Sequence, residues 1–371
     1  MFVSPAPIER ILMTADTVGG VWTYALDLCR AYSAGGINVC LATMGGPLSA
    51  NQQADAAAIQ GLEICSGDYK LEWMDDPWTD IEEAGEWLLS LDRRFKPDII
   101  HLNGYAHAAL NWSAPVLVVA HSCVLSWWQA VKHTAAPPEW TTYRECVKQG
   151  LRAADQVVTI SQSYADELNR LYGPLENMNV IYNGREADDF YVGDKKMQAF
   201  AMGRIWDEAK NLSILGEITN KHRLPICVAG DNRHPDTGVP VNLSDVELMG
   251  VLSQERVKWQ LATSYAYISP SKYEPFGLAV LEAALSGCLL LLADIPTLKE
   301  LWQDSALYFN PEKPEELDDL LDFAAERGEE CELLVDKSLA RAKLFSLDRT
   351  VDTYLELYKS LKVAGKAINT Y

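Results

Sequence analysis

Two glutamates frame the stretch richest in chemistry, Ile268-Ser-Pro-Ser-Lys-Tyr-Glu-Pro-Phe-Gly-Leu-Ala-Val-Leu-Glu282. An apolar strand ends at Ile268, a loop of Pro, Ser and Gly residues follows, and a helix is expected from 276–278 to about 286, stopped by Gly287. Turns at the carboxyl ends of parallel strands are where open α/β sheets hold ligands. The amides of Phe276, Gly277, Leu278 and Ala279 lack intrahelical acceptors, and the helix dipole adds partial positive charge, so an anionic diphosphate suits the site. Gly277 lets that ligand approach closely. Glu274 stands ahead of the helix and Glu282 two turns into it, one carboxylate on each side of a bound diphosphate. A nucleotide sugar carries hydroxyls on both sides of its diphosphate. Glu282, set between Leu281 and Ala283-Ala284-Leu285, needs a partner on so apolar a helix.

Ala201-Met-Gly-Arg-Ile-Trp-Asp-Glu-Ala-Lys-Asn-Leu212 offers a pair of cations, Arg204 and Lys210, in a loop after a strand. Fixed cations neutralise a diphosphate leaving group as its charge grows in the transition state, a task given to a metal elsewhere. Near the N-terminus, Asp16-Thr-Val-Gly-Gly-Val-Trp-Thr-Tyr24 reads as a strand-to-helix turn in which Gly19 and Gly20 permit close backbone approach, without the G-x-G-x-x-G spacing of a dinucleotide fold. His121 follows the apolar strand 116–120 at its carboxyl end; His101 and His107 flank Leu102-Asn-Gly-Tyr105, whose Asn103 and Tyr105 are candidates to line an acceptor. Among 11 tryptophans, most of which serve packing, the Trp127-Trp128 pair is placed at the border of the acceptor site. The chain has no Asp-x-Asp triplet and no His/carboxylate cluster at ligand spacing, so the sequence predicts catalysis without a metal or other cofactor.

Apolar runs at 11–14, 39–43, 99–102, 116–120 and 157–160 alternate with amphipathic stretches such as 21–32, the rhythm of a parallel α/β sheet. A second series runs through 199–203, 226–229, 265–268 and 289–293. The predicted fold is therefore α/β, two Rossmann-like doubly wound domains. The turn at Asn183-Gly184 and the polar stretch 185–196 mark the hinge. The expected division is 1–189, 190–345 and a last helix, 346–371. Val351, Tyr354, Leu355, Leu357 and Tyr358 fall largely on one face of that helix.

The run P-S-x-Y-E-P-F-G-L-x-x-L-E-A resembles the E-x7-E motif of family 4 glycosyltransferases, retaining enzymes of the GT-B fold. The resemblance implies that Glu274 contacts sugar hydroxyls, Glu282 the nucleotide ribose, and Phe276 to Leu278 the diphosphate. It gives Arg204 and Lys210 the leaving-group role, although the loop between them is one residue longer than the family's commoner spacing. By the same resemblance Gly19 and Gly20 face donor phosphates and acceptor, and His121 contacts the donor sugar near the reaction centre. Asn183-Gly184, Gly230-Asp231 and the helix after Phe345-Ser-Leu-Asp-Arg extend the likeness over most of the chain. The resemblance further implies that the two domains face a central cleft, 1–189 an acceptor-binding domain and 190–345 a donor-binding domain, and that the last helix returns to the first. Retention through a covalent carboxylate would need a nucleophile that the residues do not identify. The family is instead thought to react on one face, the diphosphate oxygen taking the acceptor proton.

The remaining properties act by exclusion. A chain of 371 residues, 48% hydrophobic and 23% charged, suits two globular domains. With 32 basic and 52 acidic side chains the net charge is −20, which disfavours nucleic acid and anionic lipid as partners. Apolar runs fall short of the roughly 18 residues of a membrane span, and the first residues lack a secretory pattern. The 8 cysteines include no C-x-x-C and read as reduced buried thiols of a cytoplasmic protein. The expected partners are a UDP- or GDP-linked hexose donor and a hydroxyl-bearing carbohydrate or small-molecule acceptor; no oligomeric state is encoded legibly. The alternatives are a nucleotide-sugar epimerase of the same architecture and a two-domain sugar-binding protein without turnover.

Overall fold

The computed structural model describes residues 7–218, 224–234 and 237–368. Among these, two all-parallel sheets account for every named strand. The first contains β1 (Arg10–Asp16), β2 (Asn38–Met44), β3 (Leu62–Ser66), β4 (Ile99–Leu102), β5 (Val116–Ala120), β6 (Gln156–Thr159) and β7 (Met178–Val180), in the spatial order 3-2-1-4-5-6-7. The second contains β8 (Lys196–Met202), β9 (Ile226–Ala229), β10 (Glu247–Gly250), β11 (Ser264–Ser269), β12 (Leu289–Ala293) and β13 (Leu307–Phe309), in the order 10-9-8-11-12-13. Interior strands such as β5 and β12 are buried along their whole length, which is why they read as unbroken apolar runs.

The strands that the apolar pattern misses, β3, β10 and β13, are short and lie toward or at sheet edges. Glu247-Leu-Met-Gly250 is mostly exposed and carries no burial signal, and β13 has only 3 residues. Each sheet reverses its order once, between β1 and β4 and between β8 and β11. At such a point the crossovers leave in opposite directions and open a crevice at the carboxyl ends.

The chain forms two compact units, residues 1–126, 135–183 and 347–371 in one, and 127–134 with 184–346 in the other. The division after Asn183 falls within the Asn-Gly turn, ahead of the expected boundary at 189/190. Helix Leu347–Ile368 belongs to the first unit through a buried stripe of Val351, Tyr354, Tyr358 and Leu361. Of the other residues expected on that face, Leu355 and Leu357 are only half-buried at its margins.

Tyr354 and Tyr358 carry hydroxyls into a core that must satisfy them. Tyr32 and Tyr358 pair at 3.1 Å, Tyr358 lies 2.5 Å from His101 Nδ1, and Tyr24 lies 3.4 Å from His101 Nε2 while donating to Tyr354 at 2.8 Å. A neutral His101 protonated on Nε2 satisfies the chain in one direction, from Tyr32 through Tyr358 to Nδ1, and from Nε2 through Tyr24 to Tyr354.

In the second unit the loops after β8 and β9 approach so closely that a Cβ on Gly230 would stand 1.8 Å from the Gly203 carbonyl oxygen. Gly230 also takes φ 142°, in the region that side chains avoid. Gly230→Ala is therefore expected to cost about 1–3 kcal/mol in denaturant unfolding, as overpacking does. A Cβ on Gly20 meets no atom within 4 Å. Gly20→Ala should stay within about 0.5 kcal/mol of the parent.

Candidate functional site

In the second unit, the two loops at the order reversal are stitched together. The loop after β8 runs from Gly203 through Arg204, whose Nη2 donates to Asp207 Oδ2 at 2.6 Å. Asp207 Oδ1 accepts from the Ala209 amide at 2.9 Å, which closes the turn. Asn211 adopts the left-handed conformation at φ 52°, and its Nδ2 donates to the carbonyls of Pro270 (3.1 Å) and Pro311 (2.7 Å). The Lys272 amide donates to the Ala209 carbonyl at 2.9 Å. Held in this way, Lys210 Nζ reaches Glu274 Oε2 at 2.5 Å, so the loop from β8 and the loop from β11 meet in an ion pair. Arg204 remains more open, its side chain 42% exposed beside Trp206.

Glu274 is fixed from behind, its carbonyl accepting from Thr297 Oγ1 at 2.6 Å. Gly277 takes φ 89° at the N-cap of helix Leu278–Leu285, and a Cβ there would press within 3.2 Å of Glu274 Cγ. The glycine thus allows both the turn and the nearness of the carboxylate to the first helical turn, where Leu278 supplies one of the amides without an intrahelical acceptor. The side chain of Phe276 packs inward. Its ring is buried edge-on against Phe345 at 5.8 Å, so only its backbone faces the turn.

The partner that Glu282 requires is Arg185, with Nη2 3.1 Å from Oε1 and both side chains about nine-tenths buried. The sequence assigned 185–196 to a polar hinge loop, and most of it folds as one, but two of its residues turn inward. Arg185 and Phe190 are buried and stacked 5.3 Å apart, because the buried carboxylate draws the guanidinium in. A cation directly after Asn183-Gly184 is the one signal that pointed to it.

In the first unit the order reversal is lined by Gly19, Gly20 and Asn103. Gly19 takes φ 91° as the N-cap of helix Gly20–Ala34. Asn103, after β4, donates from Nδ2 to the Thr14 carbonyl of β1 at 2.7 Å, which leaves its Oδ1 to accept from His121 Nε2 at 2.8 Å. The His121 ring also meets the Tyr24 ring edge-on at 4.7 Å. Burial lowers the pKa of His121 to about 3 and that of His101, nearby, also to about 3, so both are neutral near pH 7.

Tyr105 is corrected. It lies in the core, its hydroxyl donating to the Ser122 carbonyl at 2.8 Å and sitting 3.1 Å from Tyr164 Oη, so it braces the loop from within instead of lining an acceptor surface. His107 is likewise a core histidine, bonded to the Ile81 carbonyl at 3.1 Å. Sequence reasoning overlooked Glu72, a buried carboxylate that accepts the Tyr105 amide at 2.9 Å and shapes the same loop. Trp127 and Trp128 form a half-buried edge-to-face pair at 5.7 Å and group with the second unit, not the first as their position in the chain implied.

Residues 18–189 match the family model described as Glycosyltransferase Family 4, and residues 241–339 the model described as Glycosyl transferases group 1. The chain is similar to the O-antigen chain mannosyltransferase RfbU of Salmonella typhimurium, 27% identical over 183 residues, 46% of this chain and 51% of that one. It thus spans about half the length of that relative. Similarity to the glycogen synthase of Mycobacterium tuberculosis is longer, 25% over 333 residues, covering 78% of this chain and 79% of the synthase.

Among solved structures, sucrose-phosphate synthase from Thermosynechococcus elongatus superposes with a TM-score of 0.80 at 17% identity, covering 96% of this chain and 100% of that one. Anabaena HepE, solved in complex with UDP and glucose, gives 0.74 at 15% identity, covering 95% and 100%. Two parallel-sheet domains with these matches define a glycosyltransferase of the GT-B type. Within that class the chain is of the family 4 type, the Glycosyltransferase Family 4 model matching 18–189 and the group 1 model 241–339.

The two low histidine pKa values fix a pH dependence. Unfolded histidines titrate near 6.5, so between pH 6.5 and 3 the unfolded chain binds more protons than the folded one, and stability falls as the pH drops through that window. Urea unfolding across that range should show this loss, with a shallower slope for His101→Gln. Arg185→Leu, which removes the guanidinium from beside a buried carboxylate, is expected to cost about 3–5 kcal/mol, and adding Glu282→Gln should recover part of it.

Proposed function

We propose that this glycosyltransferase moves a hexose from a uridine or guanosine diphosphate sugar to a hydroxyl of a carbohydrate or small-molecule acceptor, with retention and without a metal ion. The observation that carries the reading is the meeting of Lys210 and Glu274 beside the first turn of helix Leu278–Leu285. An ammonium and a carboxylate that satisfy each other in the free protein are the groups a sugar diphosphate would engage separately. In this reading Lys210 and Arg204 take the phosphate oxygens and Glu274 takes sugar hydroxyls. The amides of Phe276, Gly277 and Leu278 add donors to the diphosphate, and Glu282, already oriented by Arg185, reaches toward the ribose.

Catalysis then rests on stabilising the departing diphosphate, whose oxygen receives the acceptor proton as the sugar passes through an oxocarbenium-like state. His121, held neutral by burial and oriented by Asn103, is suited to hydrogen bonding with the sugar rather than to carrying charge. Gly19 and Gly20 leave open backbone for donor phosphate and acceptor, and Asn103, Trp127 and Trp128 are assigned to the acceptor side. The solved HepE complexes with UDP, and with UDP-glucose, support a nucleotide donor, and retention rests on the family resemblance. Free thiols at all 8 cysteines accord with a reducing compartment such as the cytoplasm.

A thermal-shift panel of UDP, GDP and ADP tests the donor, since a nucleotide at 100 times its Kd stabilises by about 2.7 kcal/mol. With the stabilising nucleotide's sugars and a set of acceptors, Arg204→Ala is expected to lower kcat by about 10²–10³, as loss of a charge-stabilising donor does. Glu274→Ala should abolish most turnover as well. Unchanged rates in both variants would refute the site. Isomerised nucleotide sugar without transfer would favour an epimerase, and the anomeric configuration of the product, read by NMR, decides retention.

A further inference from the structure

Cys40 and Cys65, separated in sequence and without a recognisable motif, are brought together by the first sheet. In the β2–β3 register Cys40 lies opposite Glu63 and Cys65 opposite Ala42, so both thiols and the Glu63 carboxylate occupy one face. The sulfurs are 3.7 Å apart. Arg94, in the last turn of helix Trp78–Phe95, donates from Nη2 to Cys65 Sγ at 3.2 Å and pairs with Glu63. We propose that Cys65 is the oxidant-reactive thiol of this protein and Cys40 its resolving partner, forming a reversible disulfide on exposure to hydrogen peroxide.

Three observations support the assignment. A guanidinium at hydrogen-bonding distance favours a thiolate at Cys65, and the Cys40 sulfur lies close enough to donate its proton to that thiolate once formed. The Glu63 carboxylate, 3.5 Å from Cys65 Sγ, opposes that charge but is itself paired with Arg94. The Cys40 hydrogen bond, with Arg94 after it, holds the Cys65 pKa below the usual thiol value although burial and Glu63 push it up. Accessibility points the same way. Cys65 and Cys146 are the two cysteines not buried, and burial pushes Cys146 up to about 12.

Chemically, the Cys65 thiolate attacks peroxide, the O–O bond breaks, and a sulfenic acid forms with release of hydroxide. The Cys40 sulfur then displaces the sulfenyl oxygen as water, carrying off the Cys40 proton. Two thiols are oxidised and one peroxide is reduced to two waters. Diagonal positions on neighbouring strands stand about 7–8 Å apart, beyond the usual disulfide span of about 4.4–6.8 Å between Cα atoms, so closing the bond requires the edge strand to shift locally and the strained link is expected to be readily reduced. The same donors, Cys40, Glu63 and Cys65, lie within 4.8 Å of one another and resemble a metal cluster, but Arg94 already places a positive charge on two of them.

The reduced full-length protein, treated with limiting iodoacetamide at neutral pH and mapped by mass spectrometry, should label Cys65 at least about tenfold faster than Cys146, one pKa unit of thiolate. Hydrogen peroxide should then lower the intact mass by two hydrogens, through a Cys40–Cys65 link that dithiothreitol reverses. In Cys40→Ser the sulfenic acid should persist at Cys65 and be captured by dimedone. Arg94→Gln, which leaves the sheet thiols in place, should slow Cys65 alkylation severalfold. Faster labelling of any other cysteine, failure to form the Cys40–Cys65 link, or zinc copurifying at one ion per chain with Cys65 shielded would overturn the proposal.

Discussion

Parallel pairing is the constraint from which the rest follows. Because every named strand runs parallel to its neighbours, each must hand over to a crossover, and all strand carboxyl ends in a sheet share one edge. Backbone at that edge leaves the ladder and is free to present amides, carbonyls and side chains. Where the order reverses, at β1/β4 and at β8/β11, no crossover covers the gap. The glycines, cations and carboxylates with the strongest chemical signature all follow those four strands.

Such loops would be poorly fixed without cross-ties, and the structure supplies them with buried polar groups whose partners lie on the next loop. Asn211 ties the β8 loop to Pro270, Thr297 holds Glu274, and Asn103 joins β1 to His121. Each tie consumes a hydrogen-bonding group that burial would otherwise penalise, so satisfying the core and positioning the site are one requirement. The tyrosine and histidine network around His101 extends this logic to the last helix, where Tyr354 and Tyr358 meet residues from the first third of the chain.

Legibility followed burial. β5, β9 and β12 stood out because both faces are covered, and their bounds could be read directly from apolar runs. β10 could not be read, since its residues face solvent and a half-covered edge strand of 4 residues has no periodicity to detect. In the site, Glu274, Gly277 and Lys210 were legible because their residue types are poorly explained by packing. Arg185 was not, because an arginine after an Asn-Gly turn looks like solvated loop until Glu282 is known to lie beneath it. Tyr105 failed in the opposite sense, a polar-tipped ring at a strand end that turns inward to Tyr164.

By itself the sequence determined the two series of parallel strands, a helix start within 276–278, and the types of group available for a diphosphate and a sugar. Those are local properties: an apolar run, a glycine that accepts positive φ, a charge too costly to bury alone. Only the tertiary structure decided strand order, and with it which loops become neighbours. It paired Lys210 with Glu274 and Arg185 with Glu282, and it set Cys40 beside Cys65. Those pairings join residues 25 to 97 positions apart, and they arise from sheet register and crossover packing, which no local pattern encodes.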